Sequence, residues 1–263
     1  MSELNPLLRL ESVSRSFGGI QAVSDVTLDV PSGAVFGLIG PNGAGKTTVI
    51  NLVTGLLRPS AGSVRLGEQA IHTWPTHRIA AAGVTRTFQS IRLFRDLSAL
   101  ENVIAGEHHV RPELIWQRLL FGRHARAEVH EAEDRALALL ARVGMASQAH
   151  ARAGALPYGD QRRLEIARAL AAQPRLLLLD EPAAGMPFAE TQALVALMRS
   201  LRADGLTILL VEHNMHVVMD VCDEIAVLNF GRKIAQGSPR TVGSDPAVIE
   251  AYLGPDETAG AAS

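Results

Sequence analysis

The sequence predicts an α/β fold with a parallel-sheet core, an N-terminal antiparallel β subdomain and an inserted helical subdomain. Short apolar runs alternate with helical patterns over much of the chain, which is typical of parallel α/β cores. Residues 7–30 instead alternate apolar and polar side chains, and residues 90–155 contain few strand-like runs. A chain of 263 residues that is 47% hydrophobic is able to bury such a core.

The first part of the chain supplies two strands, a central strand and a helix. The runs at 7–17 and 22–30 alternate apolar and polar residues, which predicts antiparallel strands. The run AVFGLIG at 34–40 is almost entirely apolar and predicts a buried central strand. A glycine-rich turn follows it, and the helical pattern KTTVINLVTGLL covers 46–57.

The second part begins with the helical block and then returns to alternating strands and helices. Apolar residues form one stripe over 128–144, and Gly144 is a natural helix stop. The small, polar residues 254–263 predict a tail that frays. The remaining predicted elements are strands at 175–182 and 206–213, a helix at 190–205, a hairpin at 223–237 and a short helix at 245–254.

Composition excludes several classes of protein. The formal net charge is −2, so there is no basic excess that would indicate nucleic acid as a partner. The start MSELNPLLRL lacks the pattern of a signal peptide, and the longest apolar runs, such as LLLL at 176–179, are far shorter than the roughly 18–20 residues of a membrane span. Cys222 is the single cysteine and predicts a packed thiol in a reducing compartment rather than a nucleophile.

The strongest motif is GPNGAGKT at 40–47, between the predicted buried strand and a helix. This is the phosphate-binding loop pattern and predicts a P-loop NTPase core with a RecA-like parallel sheet. Glycines let the backbone wrap around phosphate oxygens, Lys46 places a charge against the β- and γ-phosphates, and the Thr47 hydroxyl ligates Mg²⁺. The predicted ATP contacts of the loop are Gly40, Pro41, Asn42, Gly43, Ala44, Gly45, Lys46, Thr47 and Thr48.

Two carboxylates follow the apolar run in LLLLDEP at 176–182. Ligands of open α/β sheets bind at the carboxyl ends of strands. Asp180 is therefore predicted to hold the magnesium shell, and Glu181 to orient and deprotonate the water that attacks the γ-phosphate. The alternative is that both residues only cap a helix, and the phosphate loop at 40–47 disfavours it.

The segment ALPYGDQRRLEIARAL at 155–170 places a turn directly before a helical pattern. Asp160 has the chemistry of an N-cap residue, and Leu164, Ala167 and Ala171 recur at helical spacing. By itself this is either an ordinary capped helix start or a turn that belongs to an active site.

The order of these motifs, with TFQ ending at Gln89 and VEH ending at His213, resembles the ATP-binding subunits of ABC transporters over residues 7–253. The resemblance implies that two subunits pack head to tail, and that the signature turn of each closes over the ATP held by the other's phosphate loop. The helix beginning near Asp160 then points amide hydrogens at the partner's nucleotide. The signature turn comprises Leu156, Pro157, Tyr158, Gly159 and Asp160.

The same resemblance implies roles for three further residues. Phe17 matches the aromatic residue that stacks on adenine, the alternative being a core phenylalanine. Gln89 matches the residue that links the magnesium site to the helical subdomain and the membrane subunits. His213 matches the histidine that contacts the γ-phosphate, although a lone histidine after a strand is otherwise more often structural.

Within the family, the chain looks most like the ATPase subunits of branched-chain amino acid importers and their relatives for other amino acids, amides and urea. The segments TRTFQSIRLFRDLSALENV, YGDQRRLEIARAL, DEPAAGM and DPAVIEAYLG carry this likeness. The segment 107–128 matches the extra helical insert of that branch. Its apolar residues favour core packing over a docking face, and its histidines show no metal-site spacing. The apolar residues are Leu114, Ile115, Leu119, Leu120 and Phe121, and the histidines, with one just beyond the segment, are His108, His109, His124 and His130.

Three residues depart from the family pattern. Pro157 stands where most signatures carry a serine that bonds the γ-phosphate, and proline also lacks an amide hydrogen. Asp160 replaces a glutamine or glutamate. Pro187 replaces the aspartate or asparagine of the loop that communicates across the dimer. These departures concern the contribution of this chain to the opposite ATP site.

The resemblance thus implies an ATP- and Mg²⁺-dependent ATPase at the cytoplasmic face of the membrane. Its expected partners are a second, related ATP-binding subunit, two permease subunits and, indirectly, an extracytoplasmic solute-binding protein, but no nucleic acid. The alternatives are a soluble ABC ATPase without a permease and a regulatory subunit with weak hydrolysis. The expected domains are an ATPase core at 1–90 and 157–253, a helical subdomain at 91–156 and a disordered tail at 254–263.

Overall fold

The computed structural model describes residues 6–107 and 124–253. The strands are β1 (Pro6–Phe17), β2 (Ile20–Pro31), β3 (Val35–Ile39), β4 (Ala61–Leu66), β5 (Gln69–Ala70), β6 (Val84–Arg86), β7 (Leu176–Asp180), β8 (Thr207–Val211), β9 (Glu224–Asn229) and β10 (Arg232–Gly237). The helices are α1 (Lys46–Val53), α2 (Thr76–Ala81), α3 (Ala99–Gly106), α4 (His124–Arg142), α5 (Tyr158–Ala171), α6 (Phe188–Ala203), α7 (Met215–Val221), α8 (Pro239–Gly243) and α9 (Pro246–Leu253).

A four-stranded antiparallel sheet forms the N-terminal part in the order β2-β1-β4-β5. The prediction of two antiparallel strands over residues 7–30 is confirmed. Strands β4 and β5 were not predicted, because the alternation in β4 spans only its last four residues and β5 contains only two residues.

The core is a six-stranded sheet in the order β10-β9-β3-β8-β7-β6. Its neighbouring strands run parallel except β10, which pairs antiparallel with β9 as the predicted hairpin. Strand β8 lies between β3 and β7, so the segments that follow these three strands emerge side by side at one edge. These are the segments that carry the phosphate loop, the two carboxylates and His213.

The central strands are buried on both faces, which explains their continuous apolar sequence. In β7, Leu176 and Leu178 point to the side of the antiparallel sheet and α1, whereas Leu177 and Leu179 point to the side of the longer helices. The helical side includes α3, α5 and α6. The sheet is thereby held rigid at the edge that presents the motifs.

The predicted cap of α5 is wrong. The helix begins at Tyr158 with Pro157 in the N-cap position, where the backbone is extended (ψ 155°). Asp160 lies inside the first turn, and its carboxylate accepts hydrogen bonds from Gln148 Nε2 (2.8 Å) and from Arg163. Asp160 is therefore an acidic residue of the first helical turn, where its negative charge interacts favourably with the positive end of the helix dipole.

Other boundaries differ less. Helix α1 ends at Val53 rather than at residue 57, and α6 starts two residues before the predicted position. Helices α2, α7 and α8 and strand β6 are short and were not predicted. The apolar patch and most of the histidines of the insert at 107–128, and the tail at 254–263, lie outside the described residues, and the subdomain boundaries stay a prediction.

Cys222 is buried and has a free thiol, as predicted. Burial raises the pKa of this thiol to about 12. Because the thiolate is the reactive form, the residue is a packing element rather than a nucleophile.

Candidate functional site

The phosphate loop begins where β3 ends. At two positions its backbone lies so close to neighbouring strands that only glycine fits. A Cβ atom on Gly40 would collide with the carbonyl oxygen of Leu228, and one on Gly45 would lie 2.5 Å from the carbonyl oxygen of Ala22. Both residues have positive φ angles, 147° and 101°. The loop therefore packs against the strands behind it and leads directly into the N-terminus of α1, where backbone amides favour an anion.

Lys46 is the first residue of α1 and is only 7% exposed. Its ammonium donates to the carbonyl oxygens of Gly40 (2.6 Å) and Pro41 (3.0 Å) within the loop itself. Burial lowers the pKa of Lys46, while the carboxylates of Glu181 and Asp180 act in the opposite direction. The site thus concentrates one buried cation and two carboxylates.

Asp180 ends β7 and is 5% exposed. Its Oδ2 accepts a hydrogen bond from Arg86 Nη2 at 2.7 Å, and Nη1 of the same guanidinium donates to Asn51 Oδ1 at 2.7 Å. Arg86 comes from β6, the neighbour of β7 in the sheet. This pairing orients the Asp180 carboxylate, and the sequence did not reveal it because the two residues are 94 positions apart.

Glu181 is held in a strained backbone conformation and is joined to two other predicted site residues. Its φ is 50°, in the left-handed region that non-glycine residues rarely adopt. Gln89 Nε2 donates to Glu181 Oε2 at 2.9 Å, and His213 Nδ1 lies 3.8 Å from Glu181 Oε1. The structure therefore brings Glu181, Gln89 and His213 together beside the phosphate loop.

The turn at 156–160 presents two exposed residues, Pro157 and Tyr158, between buried neighbours. A Cβ atom on Gly159 would collide with the carboxylate of Glu190 at the start of α6. The turn is thereby fixed against the N-terminus of α6, next to Pro187.

A buried arginine connects this turn to the loop of Gln89. Arg162 is 3% exposed, and its guanidinium donates to Tyr158 Oη (2.9 Å), to the carbonyl oxygen of Phe88 (2.7 Å) and to that of Gln89. Glu165 pairs with Arg162 at 3.3 Å and accepts from the Phe88 amide at 3.4 Å. Helix α5 thus holds both the exposed turn and the segment that carries Gln89.

Phe17 lies at the end of β1, on the antiparallel sheet and away from the carboxylates. Its side chain is 41% exposed, and the Arg15 guanidinium stacks over the ring at 4.8 Å. The alternative of a core phenylalanine is therefore wrong, and the adenine contact stays a prediction.

Comparison with known proteins identifies the family. Residues 23–184 match the model described as "ABC transporter". The high-affinity branched-chain amino acid transport ATP-binding protein LivG of Escherichia coli is 44% identical over 250 residues, which cover 95% of this chain and 98% of LivG. The chain belongs to the ABC transporter family. As a member of this family it is an ATPase coupled to transport.

Three further comparisons agree with this membership of the ABC family. The branched-chain amino acid transport ATP-binding protein BraF of Pseudomonas aeruginosa is 43% identical over 251 residues, which cover 95% of this chain and 98% of BraF. A crystal structure of a nucleotide-free ATP-binding cassette from an ABC transporter superposes with a TM-score of 0.82 and 29% identity, covering 95% of this chain and 99% of that one. Residues 232–254 also match the model "Branched-chain amino acid ATP-binding cassette transporter".

None of the helices in residues 6–107 and 124–253 combines the length and hydrophobicity that a membrane crossing requires. In the same residues, no group of three or more His, Cys, Asp or Glu side chains is arranged to hold a metal ion by itself.

Sequence reasoning missed four residues around the site of this ABC ATPase: Arg86, Arg162, Glu165 and Glu212. Arg86 ends strand β6, Arg162 and Glu165 lie on α5, and Glu212 directly follows β8. A charge at such a position indicates a buried partner, but the partners come from other elements and become visible only in the folded chain.

Proposed function

We propose that this chain binds Mg²⁺-ATP on its phosphate loop and hydrolyses the γ-phosphate to drive import of branched-chain amino acids. The observation that carries the proposal is the joining of Glu181 to Gln89 and His213 at the sheet edge that also holds Lys46. A general base beside a buried cation is the arrangement that hydrolysis of a phosphoanhydride requires.

The side chains at this edge fit a nucleotide with its magnesium ion. The loop backbone packs closely against the strands behind it at Gly40 and Gly45, and successive backbone amides of such a loop form a concavity that binds anions. A hydroxyl, a carboxylate and an amide supply the oxygen ligands that Mg²⁺ prefers, and we assign these ligands to Thr47, Asp180 and Gln89. Mg²⁺ held by these residues would neutralise charge on the phosphate oxygens, and Glu181 would take the proton of the attacking water.

When ATP binds, the Lys46 ammonium donates its hydrogen bonds to the nucleotide phosphates. In the structure its ammonium donates to the carbonyl oxygens of Gly40 and Pro41, so this buried charge is hydrogen-bonded within the loop. His213 is 57% exposed at the side chain and is free to contact the γ-phosphate once ATP is bound.

The transported solute is proposed from the relatives alone. LivG and BraF are named for branched-chain amino acids, and residues 232–254 match a model of the same branch. The test is to purify the transporter with its co-purifying permeases, reconstitute it and measure ATP-dependent uptake of leucine against a basic amino acid. Uptake of the basic amino acid alone would contradict the assignment.

We propose that the chain works at the cytoplasmic face of the membrane with two permease subunits and a second ATP-binding subunit. A solute-binding protein reaches it indirectly through the permeases. The second subunit is a related chain rather than a copy, because Pro157 offers no hydroxyl or amide hydrogen to the facing ATP and Pro187 offers no carboxylate at the dimer seam. Losing one donor aimed at developing charge typically costs about 100- to 1,000-fold in rate.

Gln89→Ala is expected to impair transport more than ATP binding. The Gln89 side chain donates a hydrogen bond to Glu181, and the Gln89 carbonyl oxygen accepts one from Arg162 of α5. Gln89 therefore joins the reacting centre to the helical elements. Coupling between two sites is typically worth about 5- to 150-fold. Transport in the reconstituted complex should therefore fall at least about fivefold, and by a larger factor than the affinity for ATP.

Gln236→Ala is the matched control, because Gln236 also bonds to a glutamate, Glu224, at 3.0 Å but on the opposite edge of the sheet. It should leave both quantities unchanged. Intact transport in Gln89→Ala would show that the coupling role is wrong.

A further inference from the structure

The fully buried carboxylate of Glu212 belongs to the loop that carries His213 and faces the loop that carries Glu181. It directly follows β8, the strand between β3 and β7, and its exposed fraction is 0%. Carboxylates are almost never fully buried without partners. Its partners therefore indicate why the fold keeps an acid at this position.

All three recorded partners of the Glu212 carboxylate are backbone amides. Oε1 accepts a hydrogen bond from the Ala183 amide at 2.8 Å. Oε2 accepts from the amides of His213 at 3.2 Å and Asn214 at 3.4 Å. Ala183 lies two residues after Glu181, so one carboxylate joins the loop after β7 to the loop after β8.

Both loops are also fixed to the sheet and to α7. The Glu181 amide donates to the carbonyl oxygen of Val211 at 2.8 Å, and the side chain of Asn214 caps α7 by accepting from the amide of His216 at 3.1 Å. With the backbone anchored on either side, the Glu212 bridge sets how closely the two loops approach each other.

We infer that Glu212 is a positioning residue that fixes the separation of the Glu181 carboxylate from the His213 imidazole. It acts through the backbone and does not touch the nucleotide. This inference rests on the proposed roles of Glu181 and His213 in hydrolysis.

The chemistry of the site requires a carboxylate rather than an amide. An ionised carboxylate only accepts hydrogen bonds and has about four lone-pair positions, which suits three converging N–H donors. Glutamine would turn an NH₂ group toward at least one of these amides. Burial raises the pKa of Glu212, while the three amides and His213 act in the opposite direction.

A buried acid of this kind could instead serve stability alone, and Glu107 provides the comparison. Glu107 is 4% exposed and is bound by Arg135 Nε at 3.0 Å and Nη2 at 2.9 Å. It follows α3, among the helices rather than at the sheet edge. Replacing either glutamate removes one buried carboxylate, but only one of them joins the catalytic loops.

The test compares Glu212→Gln with Glu107→Gln, by ATP turnover in the transporter assembled with the second ATP-binding subunit, and by ATP affinity and melting temperature in the purified full-length chain. Misplacement of a reacting group by about 1 Å can cost about 100-fold in rate. We expect kcat to fall about 10- to 100-fold in Glu212→Gln, with the Kd for ATP unchanged within about twofold. A crystal structure of this variant should show His213 Nδ1 displaced from its 3.8 Å separation from Glu181 Oε1.

Glu107→Gln is expected to lower the melting temperature and leave kcat unchanged. An unchanged kcat in Glu212→Gln, or an equal loss of kcat in both variants, would overturn the inference. If Glu212→Gln does not fold, Glu212→Asp is tested in its place, because aspartate keeps the charge but has a shorter side chain. A normal kcat in Glu212→Asp would also overturn the inference. Hydrolysis that persists in Glu181→Gln would instead refute the proposed function on which the inference rests.

Discussion

Glu181→Gln is expected to keep ATP binding and to lose hydrolysis by about 100- to 10,000-fold, the usual contribution of a positioned general base. Glutamine keeps the size of the side chain and its hydrogen bond with Gln89, which now measures 2.9 Å to Glu181 Oε2. The substitution removes the carboxylate that accepts the proton of the attacking water. Steady-state phosphate release and binding of a fluorescent ATP analogue measure the two effects separately.

The variant should also accumulate as an ATP-bound dimer, because closure no longer ends in hydrolysis. Light scattering with and without ATP measures this directly. Glu133→Gln, on the exposed side of α4, is the matched control and should hydrolyse normally. Turnover of Glu181→Gln at the wild-type rate would mean that another group acts as the base.

Lys46→Ala is expected to weaken ATP binding itself. Removing one partner of a buried, hydrogen-bonded charge pair typically costs 2–5 kcal/mol, or about 30- to 5,000-fold in affinity. Lys46 is 7% exposed at the base of the phosphate loop, so solvent cannot replace its charge at the phosphates. Calorimetric titration with a non-hydrolysable ATP analogue measures the loss.

Lys233→Ala controls for the loss of one positive charge, because Lys233 lies on the edge strand β10 and its ammonium bonds only to Gln236 among the described residues (2.6 Å). Its ATP affinity should equal that of the wild type. An unchanged affinity in Lys46→Ala would refute the assignment of residues 40–47 as the phosphate loop.

Much of the fold was predictable because its central strands are apolar and its motifs are local. The strands predicted from AVFGLIG and LLLLDEP are buried along Val35–Ile39 and Leu176–Asp180, and GPNGAGKT contains all its chemistry within eight residues. The start of α5 was misplaced because Asp160 has the chemistry of a cap. Its carboxylate is instead engaged by Gln148, 12 residues away in the sequence.

The residues that support the site could not be predicted, because their partners lie on distant segments of the chain. Arg86 reaches Asp180 only because β6 pairs with β7, and Glu212 reaches Ala183 across a gap of 29 residues. Such contacts depend on strand order, which residue types and local periodicity do not specify.

We propose that the site built on this chain's phosphate loop performs most of the turnover, while the site facing Pro157 mainly holds the dimer together. The direct test is to inactivate the two sites separately in the assembled transporter, by Glu181→Gln here and by the equivalent substitution in the second ATP-binding subunit. We predict that ATP turnover falls far more for Glu181→Gln, by a ratio of about 100 or more. Equal losses in the two variants, or full ATPase activity in a dimer of this chain alone, would contradict the account.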